Sequence, residues 1–266
     1  MDLQVRSVAP ARGWAWIADG FTLFRKSPGQ WIVLLLILFA AKKALAAFPV
    51  QALAAFFSVL AILLMPVFMA GLMDGCRALE IGRPLQIGHL VQGFRRNAAN
   101  LVSIGGIYLV GNLIIVMIIL AIGGEAITAM ATALAQNPEV TPQLRSEMRE
   151  ATATVTKALL AGATLSLPLL MAVCFAPLLA YFDDASPLNA LKLSLVACLK
   201  NLLPMLVYAL LLLAGLVLLT PIGIRFREVD LGLWLMAPVL VPSLYASYRD
   251  IFTVSDATVH PDAVQN

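Results

Sequence analysis

Two histidines, three cysteines and a few charged side chains set inside apolar stretches are the groups in this chain that could do chemistry. His89 and His260 stand far apart, and neither sits at a metal-ligand spacing. Cys76, Cys174 and Cys198 form no C-x-x-C pair, so three isolated reduced thiols are expected rather than a metal or disulfide framework. No nucleophile elbow or Ser–His pairing is visible. There is also no P-loop or phosphate-cradling G-x-G-x-x-G; Gly71-x-x-x-Gly75 instead suits close helix packing. The expectation is a protein without catalytic, cofactor-binding or metal-binding residues, and not an enzyme.

The remaining candidates are charges at odds with their surroundings. Lys42 and Lys43 interrupt an apolar run. A lysine held at mid-membrane costs roughly 2.5–3.5 kcal/mol on insertion scales. Snorkelling offsets that, as would pairing with Glu125, Glu228, Asp230 or a lipid phosphate. Asp74, Arg77, Asp183 and Asp184 cluster at the ends of other apolar stretches, where they stop translocation and cap helices. Their functional reading is a site for a lipid headgroup or a protein partner. The candidate contact residues are therefore Lys42, Lys43, Asp74 and Arg77.

The elements that hold these groups are membrane spans. Of the 266 residues, 61% are hydrophobic and 12% charged, and the mean hydropathy is +0.91. A soluble domain is about half apolar and about a quarter charged, so much of this surface expects lipid. The net charge of +3 comes from basic residues scattered at segment ends, with no basic stripe, and nucleic acid is not an expected partner. A helix crossing the bilayer needs about 20 mostly apolar residues. Ala52–Met73, Leu101–Ile122, Leu159–Phe182, Leu202–Ile222 and Leu231–Tyr248 qualify. The first span runs from Trp31 through both lysines to Phe48, ended by Pro49, with Gln51 in a very short turn before the second. Arg25, Lys26 and Ala44-Leu45-Ala46 loosely imitate a cleaved signal peptide, but the lead is too long and the lysines are misplaced, so this is read as an uncleaved span.

Six spans put eleven basic residues, Arg6 to Arg249, on the side holding both termini and seven on the other. The excess of positive charge assigns both termini to the cytoplasm. On that side the chain says one thing three times: a short amphipathic lead, an outward span and a returning span. The leads are Gly13–Pro28, with Trp14, Ile17, Phe21 and Phe24 at helical spacing, then Pro84–Asn97 and Pro187–Asn201. Such segments lie in the headgroup plane, aromatic and aliphatic side chains down. Pro66 precedes Asp74 by eight positions, Pro242 precedes Asp250 by eight, and Pro177 precedes Asp184 by seven. The fold class expected is an all-α, polytopic membrane bundle of about six spans with a threefold helical-hairpin repeat. It is one domain over 1–266, with an interfacial segment at 1–28 and a polar tail at 253–266.

The runs Gly20–Pro28, Met65–Glu80, Gly82–Leu85 and Gly93–Arg96 resemble a family of proteobacterial inner-membrane proteins, best over roughly the first 110 residues. The resemblance implies a bacterial inner-membrane location and lends no activity. The lead-plus-span pattern has a looser likeness to membrane domains attached to some glycerophosphodiester phosphodiesterases. This chain has neither room for their catalytic barrel nor the matching acidic ligands.

The one sizeable polar segment, 123–156, is expected to form a protruding periplasmic hairpin. Ile127, Met130 and Leu134 extend the third span, Asn137–Pro142 turns with Thr141 as N-cap, and Leu144, Met148, Ala151 and Val155 return. Arg145, Glu147, Arg149 and Glu150 form a solvated face or a docking surface for a periplasmic partner. Membrane lipids and a membrane or periplasmic protein are the partners expected of an integral membrane protein acting by contact. The rival reading is a transporter or channel, with a path lined by Asn112, Ser166 or Lys43.

Overall fold

The computed structural model describes residues 3–46, 50–136, 142–225 and 231–254. Thr141, Glu139, Glu228, Asp230, Pro49 and most of the polar tail, His260 included, lie outside them. Among the described residues six helices are long and apolar enough to cross a membrane, and the all-α bundle expected from hydropathy is the fold observed. A short strand β1 (Leu3–Val5) is followed by the first lead, α1 (Arg12–Lys26), and the hairpin α2 (Pro28–Ala46) and α3 (Gln51–Glu80). The second lead is a 3₁₀ helix, Ile87–Val91, continued by α4 (Gln92–Arg95); it feeds α5 (Ala98–Gln136) and α6 (Pro142–Cys174) with α7 (Ala176–Phe182). The third lead is α8 (Pro187–Lys200), and α9 (Leu202–Arg225) and α10 (Leu231–Ile251) complete its hairpin before β2 (Phe252–Val254).

The leads do not rest mainly on the hairpins they introduce. The second lead packs on α3 of the first unit, α8 packs on α6 and α7 of the second, and α1 packs on α9 and α10 of the third. Each lead thus covers the preceding hairpin, and the first closes the ring on the last. Small residues make the docking close. A Cβ added at Gly93 would strike the Val67 carbonyl, and one at Gly20 would strike the Ser243 backbone. Val67 and Ser243 are the residues directly after Pro66 and Pro242, so the two contacts are equivalent. In the third lead Ala197 is fully buried and Ser194 meets the returning helix. Gly71 and Gly75 do serve packing, against the His89 carbonyl and the Leu85 side chain of the second lead.

Three features depart from expectation. Leu159–Phe182 is not one helix: it breaks at Phe175, and Pro177 stands in the first turn of α7. Ser194 repairs the break, its Oγ accepting from the Phe175 amide (2.9 Å) and donating to the Met171 carbonyl (2.7 Å), because freed backbone groups at membrane depth need a partner. The second lead is not a continuous α-helix, with Gly88 and Gly93 inside it. Finally, β1 and β2 pair antiparallel, Leu3 with Val254 and Val5 with Phe252, and tie the first unit to the last.

The spans follow hydropathy closely. α2 runs from Pro28 to Ala46 and contains Lys42 and Lys43. α5, with 39 residues, is about 58 Å long at 1.5 Å per residue, against a hydrocarbon core of about 30 Å. It and α6 therefore extend past the other hairpins, and Arg149 and Glu150 are exposed there.

A polar cleft and tyrosine–carboxylate network at the lead-helix face

The returning helices α3, α7 and α10 bring their lead-side ends together, and there the charged residues meet. Tyr245 donates to Glu80 Oε2 (2.7 Å), and Arg249 pairs with the same carboxylate. Tyr248 donates to Asp183. Each of these phenol–carboxylate bonds joins one unit to another. Arg77 stacks over the Phe182 ring at 5.5 Å and Arg96 over Tyr181 at 5.5 Å. Asn97 and Asp184 both take left-handed backbone conformations (φ 55° and 53°), which Asn and Asp tolerate best after glycine. Their side chains bond each other at 2.5 Å, and Arg96 reaches Asp184 at 3.1 Å.

Two equivalent positions beside this network have opposite fillings. Under the first lead, Asp250 accepts from Trp16 Nε1 (2.9 Å), Arg12 Nε (2.6 Å) and Arg6 (3.2 Å). Under the second lead, Asp74 faces His89 Nε2 at 3.9 Å. His89 stands four residues before Gly93 as Trp16 stands four before Gly20, so the two rings occupy matching sites. His89 Nδ1 lies 3.0 Å from the Gln86 amide and 2.9 Å from the Gln86 carbonyl, which holds the ring with Nε2 turned toward Asp74. A cleft of about 610 Å³ opens here, lined by Asp74, Arg77, Arg83, Gln86, His89 and Gln92 with a few apolar neighbours.

Of the four candidate contact residues, the structure gathers two. Asp74 and Arg77 line the cleft; Lys42 and Lys43 lie near the other end of the first hairpin. From Gln51 to Asp74 the helix rises about 35 Å at 1.5 Å per residue. Lys42 is exposed, and Lys43 lies over the Phe39 ring at 5.6 Å. The partners proposed for them, Glu228 and Asp230, fall outside the described residues, and Glu125 is exposed. Sequence reasoning missed that Arg83, Gln86 and His89 line one cleft with Asp74. The signal available was the Gly82-Arg83-Pro84 reversal, whose Gly82 sits at φ 77° and folds the second lead back on α3. Cys76, Cys174 and Cys198 are all free thiols, as expected, and Cys198 Sγ donates to the Met171 carbonyl at 3.5 Å. Asn112 and Thr164 hydrogen-bond to carbonyls of their own helices.

Asp183 lies just past the span. Burial pushes its carboxyl above the ordinary range; the Tyr248 hydrogen bond pulls it back, and Asp184 adds to the rise. A carboxyl whose folded-state pKa exceeds its unfolded value costs stability above that folded pKa, and the cost fades as the pH falls to the ordinary range. Asp183→Asn keeps an acceptor for Tyr248 and removes the charge. Its melting temperature is expected to decline less than that of the wild type between about pH 4 and about pH 7, the range just above an ordinary carboxylate. Parallel curves would contradict this account of Asp183.

No family model and no solved structure matches the chain. The chain is similar to a probable inner membrane protein of Burkholderia thailandensis, 30% identical over 271 residues, which cover 96% of each protein. The similarity therefore reaches well past the first 110 residues, through all three units. With six apolar helices and this relative, the chain is a multi-pass inner-membrane protein, and it belongs to the same family as that Burkholderia protein.

Proposed function

We propose that this protein is not an enzyme and works by contact, with membrane lipids or a membrane-protein partner, through the face built by its three leads. That face and both termini lie in the cytoplasm. The observation that carries the reading is the two-sidedness of the leads. The first buries Gly13, Trp16 and Gly20 against the bundle and leaves Trp14 62% and Phe21 47% exposed. The second exposes Ile87, Val91 and Phe94, and the third Leu188 and Leu199. Apolar side chains turned outward beside charged helix ends suit the boundary between acyl chains and headgroups. Arg25, Arg77, Arg83, Arg95 and Arg96 at the same face favour the cytoplasmic side.

Reporter fusions test the orientation. Alkaline phosphatase inserted at Glu139 is expected to be active and a fluorescent protein after Asn266 to fluoresce; the reverse pattern would overturn it. Extraction of the protein in polymer nanodiscs, followed by mass spectrometry, tests the contact. A lipid or protein enriched over the bulk membrane is expected, and an unenriched profile with no partner would contradict the reading.

A further inference from the structure

The two matching positions under the first and second leads differ in a way that packing alone does not require. At Asp250, a tryptophan fills the space, and two arginines are spent on the one carboxylate. At Asp74, a smaller histidine leaves a cleft of about 610 Å³ with two exposed arginines, Arg77 and Arg83, on its wall. Neither arginine makes an ion pair among the described residues. Asp74, the carboxylate lining the cleft, faces His89, and nearby Glu80 is held by Arg249 and Tyr245. The stack on Phe182 orients the Arg77 guanidinium. Two forked donors, two glutamine amides and an excess of positive charge in a concave site match an oxyanion with several acceptor oxygens.

We propose that this cleft binds the phosphate of an anionic phospholipid, with Arg77 and Arg83 as its charged contacts. The proposal rests on placing the lead face at headgroup level. Its lipid source follows from the rim. Ile87, Val91 and Phe94 recur at helical spacing along the second lead and are 53%, 45% and 43% exposed, and Ile81 beside them is 58% exposed. A soluble phosphate gains nothing from that surface, whereas an acyl chain leaving the cleft would lie along it. A zwitterionic lipid brings its own cation to the arginines and is disfavoured by the same charge balance.

The full-length protein would be reconstituted into nanodiscs of phosphatidylcholine containing a minor share of phosphatidylglycerol. Native mass spectrometry would then measure the phosphatidylglycerol retained. Wild type, the double variant Arg77→Gln/Arg83→Gln and the control Arg25→Gln would be compared, with inorganic phosphate titrated in a separate arm. Both cleft arginines are exposed, so the double variant is expected to melt like wild type. Retention is expected to fall about tenfold in the double variant, the scale of losing a charge-assisted pair, and to be unchanged in Arg25→Gln. Inorganic phosphate is expected not to displace the lipid. Equal retention in wild type and double variant would overturn the site while leaving a lipid contact elsewhere on the face intact. No enrichment in any of the three proteins would overturn the site together with the lipid form of the contact reading. Tight binding of inorganic phosphate that depends on Arg77 and Arg83, without lipid enrichment, would overturn the lipid assignment.

Discussion

Gly93→Val and Gly20→Val are each expected to destabilise the protein by about 3 kcal/mol, the upper part of the range for overpacking a tight contact. The atoms in the way are backbone, the Val67 carbonyl and the amide and Cα of Ser243, and backbone cannot swing aside as a side-chain tip can. The lead must lift off its hairpin or the helix beneath must shift. Lifting the second lead would also separate Phe94 from Phe68, whose rings meet edge to face at 5.6 Å. Lifting the first would break the edge contact of Trp16 with Tyr208 at 5.9 Å. Gly29, where an added Cβ would meet nothing within 4 Å, is the control. Gly29→Ala is expected to be neutral or slightly stabilising, because alanine favours the helix by up to about 1 kcal/mol. Melting of purified protein followed by tryptophan fluorescence checks all three. A Gly93→Val protein that melts with wild type would show that the close lead–hairpin contact is wrong.

Asp250→Ala is the second large effect, expected at about 2–3 kcal/mol. The carboxylate is 12% exposed and serves Trp16, Arg12 and Arg6 at once. Removing one partner of a buried pair costs about 3–5 kcal/mol when the charge left behind stays buried. Here Arg6 and Arg12 are 57% and 40% exposed and recover part of their hydration, which places the loss below that range. The indole N–H has no such escape, since Trp16 is fully buried. Asp250→Asn keeps an acceptor for Trp16 and is expected to lose about half as much. Asp74→Asn is expected to matter least, because Asp74 is 29% exposed and its histidine stands off at 3.9 Å. Chemical or thermal denaturation in one detergent ranks the three, and a ranking with Asp74→Asn worst would contradict the unequal filling of the two positions.

The spans were legible because each is an apolar run of membrane length, and even the least clear one, carrying Lys42 and Lys43, is helical through both lysines. The three leads were legible for a similar reason: Trp14, Ile17, Phe21 and Phe24 mark a helical face. That periodicity marks the side turned to the acyl region and not the docking face. Trp14 and Phe21 point outward, and the docking face is written in Gly13, Trp16 and Gly20, small residues that hydropathy barely registers flanking a single indole. Which hairpin a lead covers was not readable, because an amphipathic pattern names a face and not its partner. The same holds for the strand pair. Leu3–Val5 and Phe252–Val254 are each too short to show alternation, and they find each other because the ring brings the first lead to the last hairpin. Half of the candidate site was visible in Asp74 and Arg77. The other half needed the reversal at Gly82, which brings His89 back beside a carboxylate fifteen positions earlier in the chain.

The ring order of the leads is most directly tested by pairwise cysteine cross-linking in native membranes, in a background with Cys76, Cys174 and Cys198 replaced by alanine. Arg12→Cys would be combined either with Asp250→Cys or with Asp74→Cys, the matching position of its own hairpin, and treated with a short bis-maleimide. A first lead seated on the last hairpin predicts a closed product with Asp250→Cys and none with Asp74→Cys. A product with Asp74→Cys alone would place the lead on its own hairpin and contradict the ring.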